Sequence, residues 1–218
     1  MTVPPVLVMI AGPNGSGKTT LTKQFRDEGV DLGVYINPDD IALTLDGSYA
    51  ARVAQAQRLA ESQRQDCLDT RKSFSFETVM SHPSKIEVLK KSRALGYFNI
   101  LYFVATESPD FNIDHVRQRV AMGGHDVPED RIVARYARAL ALLPDAIRQC
   151  DYIVLFDSTY RDAPGKPVVM MPFCEIRRHE EIDEDSGSAF EIVFDEMPDW
   201  AAKALSPLFL EGAVARSR

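Results

Sequence analysis

The chain has 218 residues, with 25 lysines and arginines against 32 aspartates and glutamates, a net charge of −7. That length predicts one domain, and 45% hydrophobic with 26% charged residues is ordinary globular composition. A disordered chain, a collagen-like chain and a basic-surfaced nucleic-acid binder are thereby disfavoured, although a local basic site is not.

Val6 to Ala11 is a continuous apolar run, the pattern of a strand buried on both faces. Gly12 to Gly17 breaks it, and a helical stretch follows with Leu21 and Phe25 four apart. Val34 to Ile36 reads as a second short strand ended by Asn37-Pro38, with a helix over Asp40 to Leu45. Residues 49–72 lack Gly and Pro and are rich in helix formers, predicting a long helix. Phe74 to Thr78 reads as a strand, Pro83 to Leu95 as a helix and Asn99 to Val104 as a buried strand. Residues 112–122 and 129–143 predict two helices joined through Gly123-Gly124-His125-Asp126-Val127-Pro128. Tyr152 to Phe156 is a further strand. Strands alternating with helices predict an α/β fold with a mostly parallel sheet.

The tail differs. Val168 to Phe173 and Ala189 to Phe194 read as a β-hairpin around the charged stretch 175–188, which holds Glu180, Glu181, Asp183, Glu184 and Asp185. Trp200 falls in a final short helix. The expected division is a core over 1–165, with the helical hairpin at about 112–143 as a lid, and a C-terminal β-hairpin/helix appendage over 166–218.

Gly12-Pro13-Asn14-Gly15-Ser16-Gly17-Lys18-Thr19 matches G-x-x-x-x-G-K-[ST] in full, after a buried strand and before a helix. Small residues let backbone N–H groups turn inward around an anion, and the next helix aims its N-terminus at the phosphates. Lys18 would reach the β- and γ-phosphates, and the Thr19 hydroxyl would ligate Mg²⁺. This predicts a P-loop NTPase binding ATP and Mg²⁺ through Gly12, Pro13, Asn14, Gly15, Ser16, Gly17, Lys18, Thr19 and Thr20. No Asn-Lys-x-Asp follows to read guanine.

Three further features lie where ligands sit in open α/β sheets, beyond the strands' carboxyl ends. Asp39, 21 residues after Lys18, suits either a base that takes the proton of an attacking hydroxyl or the N-cap of the next helix. Glu77, with Thr78, suits substrate hydroxyls or the orientation of Mg²⁺, or simply faces water. Arg117 and Arg119 lie on one lid helix, and Arg131, Arg135 and Arg138 share a face of the next at i, i+4 and i+7. That stripe would neutralise a transferring phosphoryl group or form a solvated face paired with Glu129 and Asp130. The apolar set Ile132, Val133, Tyr136, Leu140 and Leu143 marks a different face. His125 reads as structural, and Asp157 is not assigned a metal role.

Cys67, Cys150 and Cys174 are far apart with no Cys-x-x-Cys, which disfavours disulfides and zinc and fits a reducing cytoplasm. The start resembles no signal peptide, and no apolar run approaches a membrane span.

Together, Ala11 to Thr20, Ile36-Asn-Pro-Asp-Asp-Ile-Ala42, Phe76-Glu-Thr78, Arg117 to Val120, Gly123-Gly-His-Asp-Val-Pro128 and Ile132-Val-Ala-Arg-Tyr136 resemble the zeta-toxin family of P-loop kinases. The resemblance covers about residues 6–160. It implies transfer of the ATP γ-phosphate to a sugar hydroxyl of a UDP-activated amino sugar such as UDP-N-acetylglucosamine. By position it implies Asp39 as catalytic base, Lys18 and Thr19 as phosphate and Mg²⁺ ligands, Glu77 as a substrate-contacting acid, and Arg119 and Arg135 as phosphate-binding arginines. A neutralising antitoxin protein is the implied macromolecular partner, with neither nucleic acid nor membrane expected. A nucleotide-dependent switch or ATPase, or a kinase of another small metabolite, is the alternative.

Overall fold

Residues 3–159, 170–179 and 189–217 are described by a computed structural model of the protein. β1 (Val6–Ala11) lies inside the sheet and buries both faces: Leu7, Met9 and Ala11 enter one core, Val8 and Ile10 the other. This two-sided burial is why the strand reads as a continuous apolar run rather than an alternating one.

In chain order follow α1 (Lys18–Asp27), β2 (Val34–Ile36), α2 (Pro38–Leu43), α3 (Tyr49–Thr70), β3 (Phe74–Thr78), α4 (Ser84–Ala94) and β4 (Phe98–Ala105). Then come α5 (Pro109–Ala121), α6 (Glu129–Ile147), β5 (Tyr152–Asp157), β6 (Pro172–Arg178), β7 (Phe190–Phe194), α7 (Asp199–Leu210) and β8 (Val214–Ser217). The strands form one eight-stranded sheet in the order β2-β3-β1-β4-β5-β6-β7-β8. β2, β3, β1, β4 and β5 are mutually parallel, so their carboxyl ends share one edge. The order turns back at β1, which makes the crevice beyond it the expected ligand position.

The tail's strands join this same sheet. β6 runs antiparallel to β5 and to β7, giving the expected hairpin pairing, and the sheet continues across the 165/166 boundary. The first strand of that hairpin runs over Pro172–Arg178, so residues 175–178, expected in the charged loop, are strand; Val168 and the acidic residues 180–185 lie outside the described residues. β8, parallel to β7, was not foreseen: Val-Ala-Arg-Ser carries little apolar signal and is mostly exposed. α2 also begins earlier than expected, because Asn37 accepts a hydrogen bond from Asp39 N at 3.0 Å and Pro38 occupies the first turn.

The final helix has a definite job. Trp200 donates its indole N–H to Asp157 Oδ2 at 2.6 Å and packs edge-on to Phe173, with ring centroids 5.7 Å apart. The carboxylate that ends β5 is therefore an anchor for α7. Phe74, Phe76 and Phe103 are fully buried nearby in the larger core, each contributing ~1.5–3 kcal/mol by burial.

Candidate active site

β1 delivers the chain into the loop at residues 12–17. Gly12 has φ +147°, and a Cβ there would lie 2.0 Å from Val104 O. A Cβ on Gly15 would lie 2.4 Å from Asn112 O. Only glycine lets the loop press this closely on β4 and α5. Leu21 N donates to Gly17 O at 3.0 Å. The amides of Lys18, Thr19 and Thr20 therefore precede that helical hydrogen bond and are left for a ligand at the positive end of α1.

Lys18 Nζ donates to Gly12 O and Pro13 O, both at 2.8 Å. Its pKa is lowered to about 8, chiefly by burial. Glu77 and Asp39 oppose that shift, while Arg119 and Arg135 add to it. The four charged side chains that the family resemblance points to besides Lys18 thus act on one ammonium group.

Glu77, at the end of β3, gathers three hydroxyls. Oε2 accepts from Thr19 Oγ1 at 3.0 Å, and Oε1 accepts from Thr22 Oγ1 and Tyr35 OH, both at 2.7 Å. Asn37 Nδ2 donates to the Tyr35 oxygen at 3.1 Å. The strand register explains the cluster. Tyr35 pairs with Ser75, and Glu77 lies two residues on, so Tyr35 and Glu77 share a face. Burial and the Glu77 charge push the Tyr35 hydroxyl above its usual pKa, which keeps it a donor. Thr78 ties β3 to the loop: its carbonyl accepts Gly12 N at 3.2 Å and its hydroxyl oxygen accepts Met80 N at 3.1 Å.

The two local readings of Asp39 are resolved in one respect. Asn37 caps α2, and the Asp39 side chain is exposed, with no hydrogen bond or ion pair among the described residues. Its carboxylate stands free at the carboxyl edge, within the field of Lys18.

The arginines divide. Arg135 Nη1 donates to Asn14 Oδ1 at 3.1 Å, and Arg119 Nη2 donates to His125 O at 2.8 Å. Arg117 instead bridges the helices, 2.6 Å from Glu129 and 3.3 Å from Asp114. Arg131 and Arg138 are exposed. Of the apolar set on α6, Ile132, Tyr136 and Leu143 are buried and Leu140 is half-buried, but Val133 is exposed.

Asn112 and His115 went unnoticed in the sequence. Fully buried Asn112 donates from Nδ2 to Asn14 O at 2.8 Å and accepts from Thr106 Oγ1. His115 Nδ1 lies 2.9 Å from Gly15 O. Tyr136 OH donates to Thr106 O at 2.7 Å, so α6 joins the same network. The start of α5 is therefore riveted to the phosphate loop. The available signal was two polar residues at i and i+3 on the face of α5 that also carries Val116. Asn112→Ala is expected to cost about 1–3 kcal/mol of stability by stranding buried polar partners. It should also raise the KM for ATP by about tenfold, the equivalent of ~1.4 kcal/mol, with kcat affected less. Thermal melts and steady-state kinetics check this; a lower Tm with unchanged KM would make Asn112 purely structural.

The chain is similar to known proteins in sequence and in fold. The family model described as Zeta toxin matches residues 3–157. An uncharacterized protein of Haemophilus influenzae is 28% identical over 131 residues, covering 59% of this chain and 91% of the relative. Among solved structures, one from the PezAT chromosomal toxin–antitoxin system of Streptococcus pneumoniae superposes with TM-score 0.53 at 16% identity, covering 72% of this chain and 70% of the other. A chain of the AvrRxo1-ORF1:-ORF2 complex with ATP gives TM-score 0.63 at 14% identity, covering 97% of this chain; this chain spans 64% of that one. At these identities the superpositions show the shared fold. The family match spans most of the chain and includes the phosphate loop, Asp39, Glu77, α5 and α6; the protein belongs to the zeta-toxin family of P-loop kinases.

Proposed function

We propose that the protein transfers the γ-phosphoryl group of ATP to a hydroxyl of a nucleotide sugar such as UDP-N-acetylglucosamine. The observation that carries this reading is that Glu77, Asp39, Arg119 and Arg135 all lie within electrostatic reach of the buried Lys18 ammonium, with the Asp39 carboxylate without a partner among the described residues. Family membership supports the acceptor class.

In this reading the amides that open α1 and the Lys18 ammonium bind the phosphates. The acceptor hydroxyl sits between Asp39 and Glu77. As the acceptor oxygen bonds to the γ-phosphorus, the bond from that phosphorus to the β–γ bridging oxygen breaks. The hydroxyl proton passes to Asp39, and ADP leaves. Arg119 and Arg135 neutralise charge spread over the transferring oxygens. Thr19 and Glu77 offer adjacent hard oxygen donors of the kind Mg²⁺ takes together with substrate phosphates, and Tyr35 and Thr22 hold the Glu77 carboxylate for that task. Bound Mg²⁺ supplies charge neutralisation at the phosphates.

Residues 1–165 would form the kinase core with the lid at about 112–143, and 166–218 its C-terminal extension. A cytoplasmic setting and a neutralising antitoxin fit the family and the toxin–antitoxin origin of the PezAT structure. No helix among the described residues is long and apolar enough to cross a membrane.

Replacing Arg119 or Arg135 with Ala should lower kcat by about 10²–10³-fold each. Arg117→Ala should change it less than about twofold, because an exposed ion pair contributes ≤ ~1 kcal/mol and touches no phosphate. Equal losses in all three would return the stripe to a solvated face. The function is tested by incubating the protein with Mg²⁺, γ-labelled ATP and a panel of UDP-sugars, nucleosides and amino acids. Label in a UDP-sugar supports the reading, label in another metabolite corrects the acceptor, and release of phosphate alone identifies an ATPase.

A further inference from the structure

Arg119 is exposed on the last turn of α5, where a long side chain keeps one geometry only if something holds it. We propose that Tyr49, at the start of α3, is a positioning residue for Arg119 and acts on it through His125, an inference that rests on the phosphate-binding role proposed for Arg119.

Three contacts make up the relay. The Tyr49 and His125 ring centroids lie 5.3 Å apart with their planes tilted by 43°, within the range of favourable ring pairs. The His125 carbonyl accepts from Arg119 Nη2 at 2.8 Å. The turn that carries His125 closes on the stem of the same arginine. Gly123 has φ +87°, and Gly124 N donates to Arg119 O at 2.9 Å. A Cβ on Gly124 would lie 2.5 Å from Arg119 Cγ. The turn therefore follows Arg119 from its Cγ to its guanidinium, and the Tyr49 ring fastens that turn to another element.

The pair is placed for this task rather than for core packing. Tyr49 is 54% exposed, and His125 is exposed as well. Asn112 and His115 fix the first part of α5 to the phosphate loop, but Arg119 lies a further turn along the helix. Arg117 is steadied by Glu129 and Asp114. Arg119 has no carboxylate partner among the described residues and depends on a carbonyl that the turn must hold still. Tyr49 stands on the helix that follows α2, which carries Asp39, whereas Arg119 reaches from α5 into the field of Lys18. The ring contact thus joins the side of the site that carries the proposed base to the side that carries the arginine. A group fixed before the reaction has less freedom to lose in the transition state, so a loosened Arg119 should lower kcat more than nucleotide affinity.

The test is a double-mutant cycle on label transfer and ADP formation. Tyr49→Ala should lower kcat about tenfold with the KM for ATP within about twofold, and Tyr49→Phe, which keeps the ring, should stay within about twofold of wild type. In an Arg119→Ala background, Tyr49→Ala should cost less than about twofold more, because the group it positions is gone. A loss of about tenfold that persists in that background would overturn the relay, as would equal losses in Tyr49→Phe and Tyr49→Ala or a wild-type rate in Tyr49→Ala. A second measurement needs no turnover. The Arg119 Nε–H resonance of the ligand-free protein, assigned by its loss in Arg119→Lys, should shift or broaden in Tyr49→Ala and return in Tyr49→Phe. An unchanged resonance in Tyr49→Ala would overturn the positioning role. Absence of label transfer in the wild type counts against the kinase reading, and the resonance then decides the role of Tyr49 by itself.

Discussion

Asp39→Asn is expected to leave ATP affinity within about twofold and to lower phosphoryl transfer by about 10³-fold, within the range for loss of a positioned general base. The split follows from geometry. Asn37, not Asp39, caps α2, so the substitution removes no helix-stabilising hydrogen bond. The Asp39 side chain has no partner among the described residues, so folding should also be indifferent to it. What it does have is a position in the field of Lys18, at the carboxyl edge where the acceptor must lie. Asparagine keeps the size but cannot take up a proton at neutral pH. Equilibrium nucleotide binding and single-turnover transfer check the two halves separately. A variant transferring at near wild-type rate would remove the base assignment, and a large loss of ATP affinity would move Asp39 into the nucleotide site.

Lys18→Ala should abolish detectable transfer and weaken ATP strongly, because it deletes the ammonium aimed into the cradle. In the ligand-free protein that ammonium is held by Gly12 O and Pro13 O, and its pKa of about 8 reflects burial. Phosphates replacing those carbonyls favour the charged form and raise the pKa again. Near pH 8.5 the free protein holds Lys18 largely deprotonated, so ATP binding should take up to about one proton. Above that pH, ATP affinity should fall as pH rises. Titration calorimetry in buffers of different ionisation enthalpy reads the uptake, and its absence at pH 8.5 would place the Lys18 pKa elsewhere. The sign for stability follows from the same lowered value. Between about pH 8 and the ordinary lysine value of 10.5, the unfolded chain binds the extra proton, so this group makes the ligand-free fold more stable as pH rises through that window.

The residues visible in the sequence were those whose chemistry needs a fixed local pattern. The phosphate loop is continuous in the chain, and its glycines are dictated by close backbone contact. Glu77 stands near the end of β3 and Asp39 in the first turn of α2 just beyond β2, at the edge where a parallel sheet gathers its carboxyl ends. Asn112, His115 and Tyr35 were missed because their roles depend on distant partners. Asn112 meets Asn14 across 98 positions, and Tyr35 meets Glu77 across 42. A buried polar side chain on an otherwise amphipathic helix looks like any other until its acceptor is known. β8 was missed for another reason: it is an edge strand stabilised by pairing with β7, not by apolar burial. Trp200 was legible as part of a final helix but not as a clamp, since its partner Asp157 lies on a different element.

The coupling ratio tests the central claim most directly. With Mg²⁺, γ-labelled ATP and UDP-N-acetylglucosamine, labelled sugar nucleotide and ADP should form in a ratio near one to one, and Asp39→Asn should eliminate the labelled product while retaining bound ATP. ADP accumulating with free labelled phosphate and no labelled acceptor, equally in wild type and Asp39→Asn, would contradict it.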